Sequence, residues 1–136
     1  MKRFKEFAMR RNEISVLLAF LVLAAGCGPA KEVKLDATAN DRQVELKKGQ
    51  TLVITLESNP TTGYRWEVVE PDEPILRQMG EPEFKSESEA VGAGGTETFR
   101  FEAVNAGQAA LELVYRRPWE EDVEPLETFS LQVVVR

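Results

Sequence analysis

Residues 51–69 read TLVITLESNPTTGYRWEVV, and this stretch decides the fold. From Leu52 to Leu56 every second residue is a large aliphatic one, and Trp66 stands in the middle of a second alternating run. A period of two puts neighbouring side chains on opposite faces, which is typical of a β-strand with one buried face. Between the two runs lies a tight polar turn at residues 59–63. Taken alone, this turn is more typical of an ordinary hairpin connection than of a binding site.

The same alternation returns three more times toward the C-terminus. Six or more strands spaced about ten residues apart, with turn residues between them and no helical period, predict an all-β domain. A tryptophan in mid-strand, here Trp66, is a core feature of immunoglobulin-type sandwiches. The sequence therefore predicts an immunoglobulin-like antiparallel β-sandwich with Greek-key connections. Its inward-facing residues in the later runs are Phe99 and Phe101, then Ala109, Leu111, Leu113 and Tyr115, and finally Phe129, Leu131, Val133 and Val135.

The first 26 residues have the pattern of an export signal. A basic segment precedes an apolar run at residues 14–25, and that run is too short to cross a bilayer comfortably as a permanent helix. The run ends in Leu23-Ala24-Ala25-Gly26-Cys27, which resembles the lipobox of bacterial lipoproteins, with cleavage before Cys27 and lipid on its thiol. The alternative is a buried or free cysteine after an ordinary cleavage site.

These features divide the chain into three parts. We expect a lipoprotein signal peptide at residues 1–26, a lipidated cysteine and tether at residues 27–32, and a single domain with one modest core at residues 33–136. The lipid would hold the domain at the bacterial cell envelope, on the outer membrane or the periplasmic face in a Gram-negative cell.

Composition argues against several classes of function. The chain has 17 basic and 23 acidic residues, of which five basic and two acidic ones precede residue 14, so residues 27–136 carry 12 and 21 and a net charge of −9. This acidic balance argues against nucleic-acid binding. With no histidine and one cysteine, the chain lacks Ser-His and Cys-His nucleophile pairs and His-based metal sites. We therefore expect a protein that is not an enzyme and needs no cofactor or metal.

Three segments between the predicted strands have the character of binding loops. In the first, residues 59–64, a proline restricts the backbone and a glycine lets it turn. The second is a glycine run, residues 92–95, whose bare backbone can approach another surface closely, although a flexible connection is the alternative. The third places Trp119 after a proline and beside an acidic run, where we expect it to be exposed and to anchor an interface rather than fold back onto the sandwich.

In order and content these segments closely resemble the three signature loops of the chagasin family, which are protein inhibitors of papain-like cysteine peptidases. The resemblance rests on Asn59-Pro60-Thr61-Thr62-Gly63-Tyr64, Gly92-Ala93-Gly94-Gly95 and Arg117-Pro118-Trp119. It implies a wedge of three adjacent loops that blocks the active-site cleft reversibly and tightly.

The resemblance also implies a role for each loop. The glycine loop would lie across the catalytic centre, with the other two loops on either side of it. Thr62 would form hydrogen bonds in the cleft, Trp119 would pack near the catalytic histidine, and Arg117 would be available to a charged or carbonyl group of the peptidase. Thr61 and Thr62 would face the partner, while Tyr64 would begin the strand that holds them.

A second function remains open at this level. A lipid-anchored β-sandwich could use the same end loops to bind another envelope or surface partner, because a shared fold does not determine the partner. In both readings we expect a monomer that contacts the membrane only through lipid on Cys27.

Overall fold

A computed structural model describes residues 31–69 and 74–136, so the predicted signal peptide and Cys27 lie outside the described residues. The described residues form nine strands and two short 3-10 turns. The strands are β1 (Glu32–Leu35), β2 (Arg42–Leu46), β3 (Thr51–Ser58), β4 (Arg65–Val69), β5 (Leu76–Gln78), β6 (Glu83–Ser86), β7 (Gly95–Ala103), β8 (Gly107–Arg116) and β9 (Glu127–Val135), and the turns are Ala37–Ala39 and Pro60–Thr62. None of the helices in these two ranges is long and apolar enough to cross a membrane.

The strands form two sheets that pack face to face. Sheet A has the order β1-β3-β7-β5, with β6 also paired to β7, and sheet B has the order β2-β9-β8-β4. The predicted immunoglobulin-like β-sandwich is confirmed. Both sheets are mixed, however, because β1 pairs with β3 and β2 pairs with β9 in parallel, while the other pairs are antiparallel. Period-two patterning contains no information on strand direction, so the parallel edge pairs were not predicted.

The core lies between the two inner faces, as the alternation predicts. Along β7 every second residue from Gly95 to Ala103 is buried, and β8 and β9 show the same pattern over most of their length. Ten large side chains are almost completely buried, which removes their apolar surface from water and supplies the main stabilising term. They are Phe99, Phe129, Leu46, Leu52, Ile54, Leu56, Leu111, Leu113, Leu131 and Val133.

Trp66 joins the two sheets by hydrogen bonds as well as by packing. It lies on β4, an edge strand of sheet B, and is 7% exposed. Its indole Nε1 donates to the Glu57 carbonyl oxygen on β3 at 2.9 Å, and its backbone N donates to a carboxylate oxygen of Glu97 on β7 at 3.1 Å. Both acceptors belong to sheet A. Trp66 is therefore a core residue, as predicted, and its own backbone N–H, which lies on an edge strand, finds its hydrogen-bond partner in the other sheet.

The connections bring three loops to one end of the sandwich. Loop 1 (residues 59–64) carries the chain from β3 in sheet A to β4 in sheet B, so it crosses between sheets and is not a hairpin turn. Loop 2 (residues 87–94) joins β6 to β7, and loop 3 (residues 117–126) joins β8 to β9. The end residues of these strands are direct neighbours, since Ser58 pairs with Gly95 and Arg65 pairs with Arg116.

Candidate functional site

Loop 1 is a tight turn that satisfies its own polar groups. Asn59 caps the 3-10 turn Pro60–Thr62, and its Oδ1 accepts hydrogen bonds from the backbone N and the hydroxyl of Thr61 at 3.3 and 2.5 Å. The Thr62 hydroxyl donates to the Asn59 carbonyl at 2.6 Å. Gly63 ends the turn with φ +85°, a conformation that favours glycine. The turn is therefore shaped before any partner arrives.

Thr61 and Thr62 are both exposed, as expected of residues that face a partner. Each hydroxyl, however, already donates its one proton inside the loop. A serine or threonine hydroxyl has one donor and two acceptor positions. Both threonine hydroxyls therefore keep acceptor positions at the surface, although the Thr62 oxygen also accepts from the Tyr64 backbone N at 3.4 Å.

Asn59 links loop 1 to loop 2 and to the body of the sandwich. Its side-chain Nδ2 donates to the Gly92 carbonyl oxygen at 3.2 Å, and its backbone N donates to the Tyr115 hydroxyl at 2.9 Å. Tyr115 is buried on β8. A single asparagine therefore holds the turn, the glycine loop and sheet B together.

Arg117 links loop 3 to loop 1. Its Nε donates to the Thr62 carbonyl at 3.1 Å, and its guanidinium carbon lies 4.5 Å from the centre of the Tyr64 ring. Nη1 also pairs with a carboxylate oxygen of Glu120 at 3.2 Å. The resemblance implied that Arg117 is available to a charged or carbonyl group of a peptidase. In the structure its Nε, one Nη1 proton and one face of the guanidinium contact other residues of the same chain.

Tyr64 connects these surface contacts to the core. Its ring stacks on Tyr115 with ring centres 5.3 Å apart, and Tyr115 in turn lies 5.0 Å from Trp66. These contacts run without a break from Arg117 at the loop surface, through Tyr64 and Tyr115, to the buried Trp66 on β4. Tyr64 lies one residue before β4 begins and supports the loop rather than facing outward, which agrees with its predicted supporting role.

Trp119 is the main exposed aromatic side chain at this end. It is 69% exposed, which confirms the prediction that it does not fold into the core. Its six-membered ring lies close to Gly63, since a Cβ added there would come within 2.4 Å of Trp119 Cη2. The tryptophan therefore leans one edge on loop 1 and leaves most of its surface free. Pro118, just before it, belongs to the turn that starts loop 3.

The glycine run is divided between the loop and the sheet. Gly92, Ala93 and Gly94 lie in loop 2, whereas Gly95 is the first residue of β7 and is buried. A Cβ on Gly95 would come within 2.0 Å of the Lys85 carbonyl oxygen, so this glycine is needed for β6 to pair with β7. Gly95 therefore lies in the strand at the base of loop 2 rather than in the loop itself. Val91, the apolar residue just before the glycines, is fully exposed in loop 2.

Loop 1 lies between the other two loops, because Asn59 contacts loop 2 while Thr62 and Gly63 contact loop 3. This order differs from the implied arrangement, in which the glycine loop is central.

The structure also shows two residues that hold the loops in place. Tyr115 was expected only as a core residue, and Arg117 was expected to contact the peptidase. Within residues 31–69 and 74–136 no group of acidic or cysteine side chains is arranged to hold a metal ion.

Comparison with known proteins finds a family model, related sequences and similar folds. Residues 45–133 match the family model described as Chagasin family peptidase inhibitor I42. The chain is 33% identical over 100 residues to amoebiasin-1 of Entamoeba histolytica, covering 71% of this chain and 93% of that protein. The fold is similar to the crystal structure of the cysteine protease inhibitor EhICP2 from Entamoeba histolytica, with a TM-score of 0.67, 24% identity, and 77% and 95% of the two chains covered. It is also similar to PbICP-C, solved in complex with falcipain-2, with a TM-score of 0.54, 22% identity, and 79% and 100% covered.

Proposed function

The chain belongs to the chagasin family of peptidase inhibitors, and we propose that it inhibits papain-like cysteine peptidases by placing loops 1, 2 and 3 together in the active-site cleft. Because its relatives are protease inhibitors, the expectation that it is not an enzyme is confirmed. The observation that supports this mode of action best is the pair of hydrogen bonds from Asn59 to Gly92 and from Arg117 to Thr62, which join the three loops.

Joined loops favour tight binding. Ordering a mobile loop on association costs free energy, whereas a loop ordered in advance avoids most of that cost. Three loops at one end of a sandwich can bury a standard interface of about 800 Å² per partner. Trp119, with most of its ring exposed, supplies the kind of aromatic anchor that dominates binding energy.

The shape of loop 1 accounts for inhibition without cleavage. A peptidase cuts a peptide that lies in its cleft in a substrate-like alignment. Residues 60–62 instead form a 3-10 turn that ends in Gly63 with φ +85°, and Arg117 holds the Thr62 carbonyl from within the inhibitor. We propose that loop 1, as the middle loop, approaches the catalytic centre, with loop 2 on one side and Trp119 on the other.

The test is an inhibition assay with the purified full-length chain. We expect reversible, competitive inhibition of papain, and mass spectrometry after prolonged incubation should show the inhibitor intact. Trypsin, a serine peptidase, is the matched control and should not be inhibited. Steady cleavage within the loops, or no inhibition across a panel of papain-like enzymes, would contradict the proposal and favour a binding module for another partner.

We further propose that the chain is a lipid-anchored monomer of the bacterial cell envelope. This proposal is supported by the basic and apolar leader that ends in Leu23-Ala24-Ala25-Gly26-Cys27, a segment outside the described residues. Metabolic labelling with a radioactive fatty acid should mark the wild-type protein and leave Cys27→Ala unlabelled. Equal labelling of both would contradict the anchor, and a dimer in sedimentation of the detergent-solubilised protein would contradict the monomer.

A further inference from the structure

The chain enters the sandwich at the end opposite the three loops. β1 pairs in parallel with the first half of β3, whose last residue, Ser58, leads into loop 1. The Lys31 carbonyl, just before β1, accepts a hydrogen bond from the backbone N of Thr51, the first residue of β3, at 2.8 Å. A strand of eight residues such as β3 spans roughly 26 Å, so about this distance separates Lys31 from loop 1. We call the end at Lys31 the tether end.

The tether end carries lysines that have no carboxylate partner. Lys47 and Lys48 lie in the turn between β2 and β3, where the Lys47 carbonyl accepts from the Gln50 backbone N at 3.0 Å. Lys31, Lys47 and Lys48 are all exposed, and none of the ion pairs found among the described residues includes them. Three ammonium groups therefore form a basic surface beside the point where the chain enters the domain.

The rest of the described surface has a different balance of charge. The acidic residues 87 and 89 give loop 2 a charge of −2, and loop 3 has four acidic residues and one arginine, so the loops together carry −5. β4 and β5, which flank the acidic residues 70, 72 and 73, lie at the other edge of their sheets from β2 and β1. On the outer faces of the sheets, arginines are paired with glutamates. These pairs are Arg77–Glu102 and Arg100–Glu32 on sheet A and Arg116–Glu67 on sheet B.

We propose that the tether end is a docking surface for anionic phospholipid headgroups, and that it holds the anchored domain upright with loops 1, 2 and 3 turned away from the membrane. The proposal rests on the proposed lipid on Cys27, and it adds a second membrane contact to the one expected through lipid alone. Lys31 follows Cys27 by four positions, so the chain between them reaches at most about 14 Å. A lipid on Cys27 therefore keeps the lysines close to the headgroups.

The charges at the two ends of the domain act in the same direction. An anionic membrane attracts a lysine near its surface strongly enough to change a binding equilibrium roughly fivefold. Its potential decays over about 8 Å at physiological salt, whereas the loops of an upright domain are roughly 26 Å farther out. A domain lying on its side would bring the acidic loops 2 and 3 into that potential. The upright orientation leaves all three loops accessible to a peptidase.

The first experiment measures the orientation on vesicles. In the lipidated protein made from the full-length chain, Cys27 is modified and there is no other cysteine, so an introduced cysteine gives a single dye site. Ala106→Cys lies in the exposed turn that follows β7, near the tether end because the Ala103 carbonyl accepts from the Gly49 backbone N at 2.9 Å. Ala90→Cys lies at an exposed position in loop 2.

Energy transfer from each dye to an acceptor on the lipid headgroups reports which end is near the membrane. With phosphatidylglycerol in the vesicles, we expect strong transfer from position 106 and weak transfer from position 90. The difference should shrink in vesicles of phosphatidylcholine alone and in about 0.5 M NaCl, which screens the lysines. Equal signals in the two kinds of vesicle would overturn the proposal and favour an acidic protein surface as the partner of the lysines.

The second experiment removes the lysines in both dye-labelled proteins. Lys47→Gln/Lys48→Gln should reduce the preference for the upright orientation roughly 30-fold, so transfer from position 106 falls and transfer from position 90 rises. Arg42→Gln/Lys85→Gln is the matched control, because it removes two positive charges from β2 and β6 outside the tether end and should leave both signals unchanged. Equal effects of the two double variants would overturn the local contact and show that only net charge matters.

Fatty-acid labelling of the same preparations separates this proposal from the anchor on which it rests. A wild-type protein without fatty acid would refute the anchor, and the orientation with it. A lipidated wild type with equal transfer from positions 90 and 106 on anionic vesicles would refute the orientation alone. Neither result depends on whether the loops inhibit a peptidase.

Discussion

Arg117 provides the most informative single test of how the loops are held. The structure predicts that it acts within the inhibitor, through its hydrogen bond to the Thr62 carbonyl and its position over the Tyr64 ring. Arg117→Ala should therefore loosen loops 1 and 3 without unfolding the sandwich, since the buried core does not include this residue.

The magnitude follows from three contacts. A hydrogen bond from a charged group contributes about 1.5 kcal/mol, and a partly exposed cation–π contact contributes about 0.5–1 kcal/mol. The pair with Glu120 is partly exposed, with side chains 38% and 27% accessible, so solvent screening limits it to about 0–1 kcal/mol. Together they amount to about 2–3.5 kcal/mol of loop order. We expect about 2 kcal/mol of this to appear in binding, a rise in Ki of roughly 30-fold.

The assay measures Ki against papain together with hydrogen exchange at the Gly63 and Tyr64 amides. Arg100→Ala is the control, because Arg100 carries the same charge, has a similar exposed fraction of 39% and pairs with Glu32 away from the loops. Arg117→Lys separates two explanations. Lysine keeps the charge but loses the planar donor group, so positioning predicts weakened inhibition and faster exchange. Wild-type inhibition by Arg117→Lys, with weak inhibition by Arg117→Ala, would show instead that the charge contacts the peptidase.

Four further predictions concern the anchor, the glycine run, the pH dependence of binding and the pH dependence of stability. Trp119→Ala should weaken papain binding by about 2 kcal/mol or more with an unchanged melting temperature, and unchanged Ki would show that the ring is not an anchor. Gly95→Ala should lower the melting temperature and impair inhibition together, because its Cβ would meet the Lys85 carbonyl, and a variant of wild-type stability would contradict this reason. Because the chain has no histidine, Ki corrected for the titration of papain should stay flat between about pH 5 and 8. Hydrogen bonds from the Thr38 hydroxyl and backbone lower the pKa of Asp36, so its contribution to stability is present above its unfolded pKa and is lost as the pH falls through the folded one. Asp36→Asn should therefore show less acid destabilisation than the wild type in denaturation at successive pH values.

Much of the fold could be predicted because strand patterning is local. Burial of every second residue follows from the pleat, so Phe99, Leu113 and Val133 are assigned to the core from spacing alone, and all three are buried. The exposure of Trp119 could be predicted for a related reason, since it follows a proline and precedes an acidic run that must be solvated. The parallel pairing of β1 with β3 and of β2 with β9 could not be predicted, because local patterning does not show which strands pair or in which direction.

By itself, the sequence determined a β-sandwich with three candidate loops, because alternation, turn residues and motif order are all properties of neighbouring positions. Only the tertiary structure decided what the loop residues do. It showed that residues 59–64 cross between sheets, that Gly95 belongs to a strand, and that Arg117 bonds to Thr62 across 55 positions of the chain. The physical reason is that a side chain's partners are determined by the packing of strands distant in sequence. A sequence motif shows that a residue matters, but only the residue's contacts in the folded chain show whether it faces a partner or holds its neighbours in place.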